Sequence, residues 1–419
     1  MSDALWRTRP DAFAIRPATE IRRQQINDFI WLSESNSNVY LVVTSEGRVV
    51  INTGMGFEAP VHKAWFDSID ASPLRYILLT QGHVDHVGGA DVMREPGTLV
   101  VAQANNPSHQ AYDARLAPFR ARRSMFAFAD SIRAATQALR GGARPPPQAR
   151  PTPEVLFEGR YAFMLGGLRF ELIAAPGAET EDSLVVWLPA HRVCFTGNVF
   201  GALFGHFPNL VTIRGDRYRD PLRYVETLDM LLGLDAELLC TGHHGPVVGR
   251  DVIRSEILRM RGAVLHVHDA VVAAMNAGQD VWQMLREVKL PPDLEVGEGY
   301  GKVAWSARAI WEMYQGWFHG RSTTELYGTP YWSASPELVA LAGGPGPVAE
   351  AAQKRASSSP LEALHLAEAA LAADPKHPGA LAASLAAHRT LRADATNFWE
   401  LRWLDKEIAK LERALGSAA

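Results

Sequence analysis

Short apolar runs dominate roughly the first 250 residues, and helical spacing takes over after that. Residues 39–43 and 48–51 are β-branched and apolar runs on either side of Glu46-Gly47, which predicts a hairpin. Residues 60–70 carry a helical pattern and lead to an apolar run, 76–79, that predicts a buried strand; 98–102 predicts the next. The strand pattern returns at 161–164 and 168–173 around Gly166-Gly167, then at 183–188, 192–195 and 238–240. Strands alternating with helices predict an α/β layered fold. Residues 1 to about 28 are polar and mixed and read as an arm. Residues 103–155 differ again. A helical insertion is expected over 109–140, followed by an exposed loop at Arg144-Pro145-Pro146-Pro147, where prolines exclude a helix or central strand.

Helical periodicity governs the rest. Residues 253–276 and 305–317 are long helical stretches, and Gly343-Gly344-Pro345-Gly346-Pro347 marks a loop or boundary. Leu361, Leu364, Ala367 and Leu371 recur at helical spacing, as do Leu381 and Leu385. Leu401, Leu404, Ile408, Leu411 and Leu415 step three-four-three-four, with Asn397 and Glu400 as the cap of that helix. This region reads as structural or oligomeric. At 419 residues the chain is too long for one ordinary core, so two or three domains are expected.

Charge and cysteine usage narrow the classes. The net charge of −4 shows no nucleic-acid footprint. Cys194 and Cys240 both sit in apolar runs and read as buried free thiols, not a disulfide scaffold. No apolar run has the length of a membrane span, and the first residues lack the core of a signal peptide, so a cytoplasmic location is expected.

The densest chemistry lies in Thr80-Gln81-Gly82-His83-Val84-Asp85-His86-Val87-Gly88-Gly89. Two imidazoles and a carboxylate fall within four residues, directly after a buried strand. Such a loop aims several side chains at one point, as a metal site requires. The glycine pair lets a helix begin close to those ligands. Later loops carry further ligand types: Glu179-Thr180-Glu181-Asp182, then Thr196-Gly197-Asn198, then Thr241-Gly242-His243-His244-Gly245-Pro246. Within the acidic loop Glu181 and Asp182 compete with Glu179, and His243 competes with His244. His266 and His268 are two apart in a predicted helix, point apart and read as structural. The basic cluster Arg115, Arg120, Arg122 and Arg123 faces either an anionic substrate or solvent. Trp31, Phe126, Phe128, Phe200, Phe204 and Phe207 are either channel-lining or core residues.

The motif at 80–89 resembles the metallo-β-lactamase superfamily signature, with Gln81 where its first His stands. Asn52-Thr53-Gly54 resembles that superfamily's Asp-Thr-Gly. The helical part resembles the dimerisation domain of its alkylsulfatases in the stretches 275–278, 290–294, 300–303 and 316–320, and in the helical pair ending at Asp374-Pro375. Arg122-Arg123-Ser124-Met125-Phe126 and Asn209-Leu210-Val211-Thr212-Ile213-Arg214-Gly215 are similar to two of their active-site segments. The resemblance runs from about residue 30 to the C-terminal end, and the sterol-carrier-like domain that often closes such enzymes is expected to be absent.

That resemblance implies an αββα sandwich over 1–250, with the insertion at about 103–155, followed by an all-α dimerisation domain over 251–419. It implies a binuclear zinc hydrolase of sulfate esters. His83 and Glu179 are then ligands of the first metal; Asp85, His86 and His244 are ligands of the second, with His243 behind. Asp85 also orients the attacking water. Asn209 and Arg214 contact the sulfate, with a salt bridge from Arg214 to Asp216 or Asp220 as the alternative, and Thr212 and Phe126 lie in the substrate site. Gln81 is a weaker ligand than imidazole, and Asn198 stands near the place of the family's bridging carboxylate, so one or two zinc ions are expected. The implied partners are a small anionic or amphiphilic substrate and a second copy of the chain, with an unlike paralogous subunit as the alternative to a homodimer. Hydrolysis of an activated aryl ether, ester or lactone is the alternative activity, and a non-catalytic partner subunit the second alternative.

Overall fold

Side chains alternate between two apolar layers along each central strand. In β4 (Gly47–Ile51), Val49 and Ile51 face one core and Val50 the other. The computed structural model describes residues 4–18, 22–130, 133, 137 and 146–416. A seven-stranded sheet runs in the order β1 (Arg22–Asn27), β2 (Ile30–Glu34), β3 (Val39–Thr44), β4, β5 (Leu74–Leu78), β6 (Leu99–Gln103) and β7 (Val155–Phe157). It is antiparallel from β1 to β4 and parallel from β4 to β7. The second sheet has six strands: β8 (Arg160–Leu165), β9 (Leu168–Ala174), β10 (Leu184–Leu188), β11 (Val193–Gly197), β12 (Leu238–Thr241) and β13 (Val247–Val248). They pair in sequence order, with β11 and β12 parallel.

The sheets pack face to face. Ile30, Val42, Ile51 and Leu78 of the first meet Phe170, Leu172, Val186 and Phe195 of the second. The outer face of the first sheet holds Leu41, Val50 and Ile77 against Phe66 of α1 (Ala59–Ile69). Two very short helices, α2 (Val84–Val87) and α3 (Ala90–Met93), follow β5, and α4 (Asn106–Ser124) follows β6. The outer face of the second sheet holds Ile173, Val185, Trp187 and Leu239. They pack on α5 (Pro221–Leu234), α6 (Arg250–Asn276), α7 (Val281–Glu287) and α8 (Val303–Gln315) through Leu228, Ile257, Met284 and Ile310. The expected layered sandwich is therefore present.

The chain divides into two compact units, Met1–Trp311 and Glu312–Ala419. The first extends beyond the expected boundary at 250, because the apolar stripe of α6 is buried in the second sheet's outer core. The polar stretch near the N-terminus is not only an arm: β1 is an edge strand paired with β2, and its exposure explains its polar composition. The insertion helix ends at Ser124, and much of the expected 109–140 helix, with Arg144 and Pro145, lies outside the described residues.

The second unit contains α9 (Ser335–Leu341), α10 (Pro345–Arg355), α11 (Pro360–Ala373), α12 (Pro378–Asp394) and α13 (Phe398–Gly416). The side chains that α11 buries are Ala363, Ala367 and Ala370, whereas Leu361 is 63% exposed. Alanine permits close helix approach, so the small residues occupy the seam. Asn397 Oδ1 accepts from Trp399 N and Glu400 N at 3.0 and 3.3 Å, the expected cap of α13. Cys194 and Cys240 are buried free thiols. Among the described residues no helix is long and apolar enough to cross a membrane.

Candidate metal centre

The chemistry gathers beyond the carboxyl ends of the parallel strands, where an open α/β sheet leaves a crevice. Asn52 follows β4 in the left-handed region, at φ 60°, a conformation that Asn tolerates well. Its Oδ1 accepts from Thr80 N and Thr80 Oγ1, both at 3.0 Å. Both contacts require only an acceptor oxygen, so Asn52 can anchor the loop without a charge. Thr53 donates to the His86 carbonyl through N and Oγ1, at 2.8 and 2.9 Å. Gly89 N donates to the Gly54 carbonyl. A Cβ on Gly89 would lie 2.3 Å from the Thr53 carbonyl oxygen, which explains the glycine. This clamp fixes α2 and hence Asp85 and His86.

A second clamp comes from β11 and β12. Gly242 N donates to Gly197 O at 2.8 Å, and Asn38 N donates to Gly242 O at 2.7 Å. Asn38 Nδ2 and Tyr40 Oη both donate to the Thr241 carbonyl. These bonds bring His243 to Asp85 and His86, with one ligand atom of each within 4.8 Å of the others. Among the described residues this is the group able to hold a metal ion. Both ring nitrogens of His86 and Nδ1 of His243 are buried without a hydrogen-bond partner. The His243 ring also bonds the backbone of Asn36, the orienting contact typical of a ligating imidazole. Burial lowers the pKa of His86, and lowers that of His243 to about 4, so both are neutral and able to ligate. These donors fit a divalent ion, with a coordination position left over.

The order expected for the histidine pair is reversed. His243, not His244, joins Asp85 and His86. His244 has φ 60°, and its ring bonds the backbone of Asp11 beside a cavity of about 150 Å³ shared with Arg22, Glu34 and Ser35. Adjacent residues in such a turn present their rings in different directions, which spacing cannot reveal.

His83 and Glu179 lie outside that group. His83 Nδ1 is 2.6 Å from Gln81 Nε2, and His83 Nε2 is 3.1 Å from Arg214 Nη2. Burial, then the charge of Arg214, lowers the His83 pKa well below normal. Glu179 Oε2 forms an ion pair with Arg219 Nη1 at 2.8 Å, with both side chains less than 10% exposed. Burial raises the Glu179 pKa to about 7, against the pull of Arg219 and Arg214. Arg219 also donates to the Asn209 carbonyl. Burial disfavours the charge of Arg214, but Tyr300, Asp216, Glu179 and Asp85 outweigh it and raise its pKa. Thr212 Oγ1, Arg214 Nε and Asn198 Oδ1 are buried and unpartnered. Asn198 packs where a Cβ on Gly242 would lie, one residue before His243. A cavity of about 360 Å³ is lined by His109, Tyr112, Glu179, Arg217 and Arg219.

Other expectations divide. Arg120 is buried and paired with Asp113 and Asp216, while Arg115, Arg122 and Arg123 are exposed. Phe200, Phe204 and Phe207 belong to the core; Phe126 is half-buried just after α4. His266 bonds the Lys289 carbonyl and His268 bonds Asp269, as befits structural residues. Sequence reasoning missed Glu58, whose buried carboxylate accepts from Ala18 N, Asn36 N, Asn36 Nδ2 and Met55 N. It thereby holds the 36–37 loop, from which Ser37 reaches the Asp85 carbonyl. Arg219 and His109 were missed as well. None of these carries a local motif; only contacts distant in sequence identify them.

The family described as Metallo-beta-lactamase superfamily matches residues 32–243, and the family described as Alkyl sulfatase dimerisation matches residues 280–406. A linear primary-alkylsulfatase from Pseudomonas sp. is 29% identical over 323 residues, covering 73% of this chain and 60% of that protein. The alkyl/aryl-sulfatase BDS1 of Saccharomyces cerevisiae is 22% identical over 340 residues, covering 76% and 52%. The chain thus spans three fifths or less of the length of these relatives. The solved structure of the stereoselective inverting sec-alkylsulfatase Pisa1 from Pseudomonas sp. superposes with a TM-score of 0.80 at 20% identity, over 98% of this chain and 70% of that one, and so shares the fold.

Proposed function

The chain belongs to the metallo-β-lactamase superfamily, and we propose on that footing that it is a metal-dependent hydrolase of organic sulfate esters. The observation that carries the reading is the meeting of Asp85, His86 and His243, with unpartnered imidazole nitrogens, near the half-buried cation Arg214. The likeness to alkylsulfatases in both parts of the chain supports it. Asp85, His86 and His243 hold the ion, and zinc suits two nitrogens and one oxygen with a position left open. A bound zinc ion supplies Lewis acidity.

The chain's own residues do the rest. Arg214 offers its unpartnered Nε, and Thr212 its unpartnered hydroxyl, to the sulfate oxygens. Asn209, held through its carbonyl by Arg219, stands in the same loop. Hydrolysis adds water across the ester and yields an alcohol, sulfate and a proton. The partner is a second copy of the chain. The start of the second unit, as far as the end of α9, exposes Trp317, Tyr327, Tyr331 and Leu341, each at least 70% accessible, apolar side chains suited to association.

The test uses the full chain with a medium-chain alkyl sulfate, following free sulfate by ion chromatography. Sulfate release that a chelator abolishes and zinc restores is expected. No release from alkyl or aryl sulfates would sink this reading. Gln81 and the uncharged Asn198 favour a second one, in which an activated aryl ether, ester or lactone is cleaved by an altered site; turnover of such a substrate with no sulfate release would select it.

A further inference from the structure

We propose that this chain binds a single divalent ion, at Asp85, His86 and His243, and that the Arg214 guanidinium stands in for a second ion at His83. The inference deepens the proposed metal-dependent activity and rests on it.

Donor availability decides the matter. Arginine only donates, so the 3.1 Å contact of Arg214 Nη2 engages the lone pair of His83 Nε2. A neutral imidazole then carries its proton on Nδ1. That N–H needs an acceptor in the Gln81 amide, whose Nε2 position lies 2.6 Å away, so the amide takes the flipped orientation with its oxygen in that place. His83 therefore has no lone pair left for a metal. Gln81 is engaged by the same bond. Glu179, the remaining candidate for that position, is paired at 2.8 Å with Arg219. Every side chain that the family resemblance assigned to a first metal is thus committed to a partner within the protein.

The contrast with the neighbouring group is sharp. His86 has two unpartnered ring nitrogens and His243 one, all buried. A divalent ion at His83 would compete with a guanidinium for one lone pair and then face the charges of Arg214 and Arg219 in a water-poor site. Because arginine remains charged at any working pH, the positive charge at His83 needs no metal to maintain it. Arg214 still has its Nε free, so capping His83 leaves a donor for an anionic substrate.

Elemental analysis of the full chain, loaded with zinc and freed of excess by gel filtration, tests this. One ion per chain is expected. His86→Ala should lose it with its circular dichroism unchanged, and His83→Ala should keep it. Gln81→His alone should still bind one ion, whereas Gln81→His with Arg214→Ala should bind two. Two ions in the unaltered protein, falling to one in His83→Ala, would overturn the inference while leaving the sulfatase reading intact. A double variant that binds only one ion would overturn the role of Arg214. No ion in the unaltered protein would remove both readings. One ion without sulfate release would support the inference and remove the sulfatase reading.

Discussion

Replacing Arg219 with alanine strips the buried Glu179 carboxylate of its ion-pair partner, 2.8 Å away. Removing one member of a buried pair usually costs about 3–5 kcal/mol. Here protonation limits the loss. Burial already raises the Glu179 pKa from its ordinary 4.5 to about 7. A carboxyl raised in the folded state contributes most below its ordinary pKa, and that contribution falls as pH rises toward the folded value. Near pH 7 the neutral form is already well populated, so forcing the group neutral costs less than about 1 kcal/mol. The cost grows as pH rises above 7, by at most about 1.4 kcal/mol per unit, so at pH 9 the charge-related loss reaches about 3 kcal/mol. Loss of the Arg219 bond to the Asn209 carbonyl adds about 1–3 kcal/mol that does not change with pH. Urea unfolding of both proteins at pH 6.5, 7.5 and 9 should show a stability gap that widens with pH. Arg219→Lys should restore much of the pH-dependent part. A gap that stays constant across this range would refute the argument that Glu179 depends on Arg219 for its charge.

Other consequences follow from the same geometry. His243→Ala should abolish metal retention, whereas His244→Ala should leave it near the unaltered level; metal analysis after gel filtration decides between them, and the opposite result would restore the order implied by the family resemblance. Gly89→Ala should destabilise the first unit by about 1–3 kcal/mol, since its methyl group meets the Thr53 carbonyl and the Ala59 side chain, and should lower the denaturant midpoint. Cys194 and Cys240 are fully buried and burial raises both thiols, so an aromatic disulfide reagent should leave both unmodified in the native protein and titrate both after denaturation.

The sequence alone determined the layers and the place of the chemistry. The hairpin of β3 and β4 and that of β8 and β9 follow from apolar runs flanking glycine turns, because a strand's faces are set by its own period of two. The stretch 80–89 announces a metal site for the same local reason: a strand, a tight turn and a one-turn helix place Asp85 and His86 within a few residues of each other. The cap at Asn397 and the buried thiols are equally local facts. Tertiary structure decided everything that depended on a partner distant in the chain. It chose His243 over His244, because a left-handed backbone at residue 244 sends the second ring toward the N-terminal segment. In α11 it buried Ala363 and Ala370 beside the expected Ala367, in place of Leu361, Leu364 and Leu371, because close helix approach favours the small side chain. It turned Arg214 toward His83 and Arg219 toward Glu179, across 131 and 40 residues of chain. Spacing shows which residues are able to ligate. Which of them still have a free lone pair depends on neighbours that only the folded chain supplies.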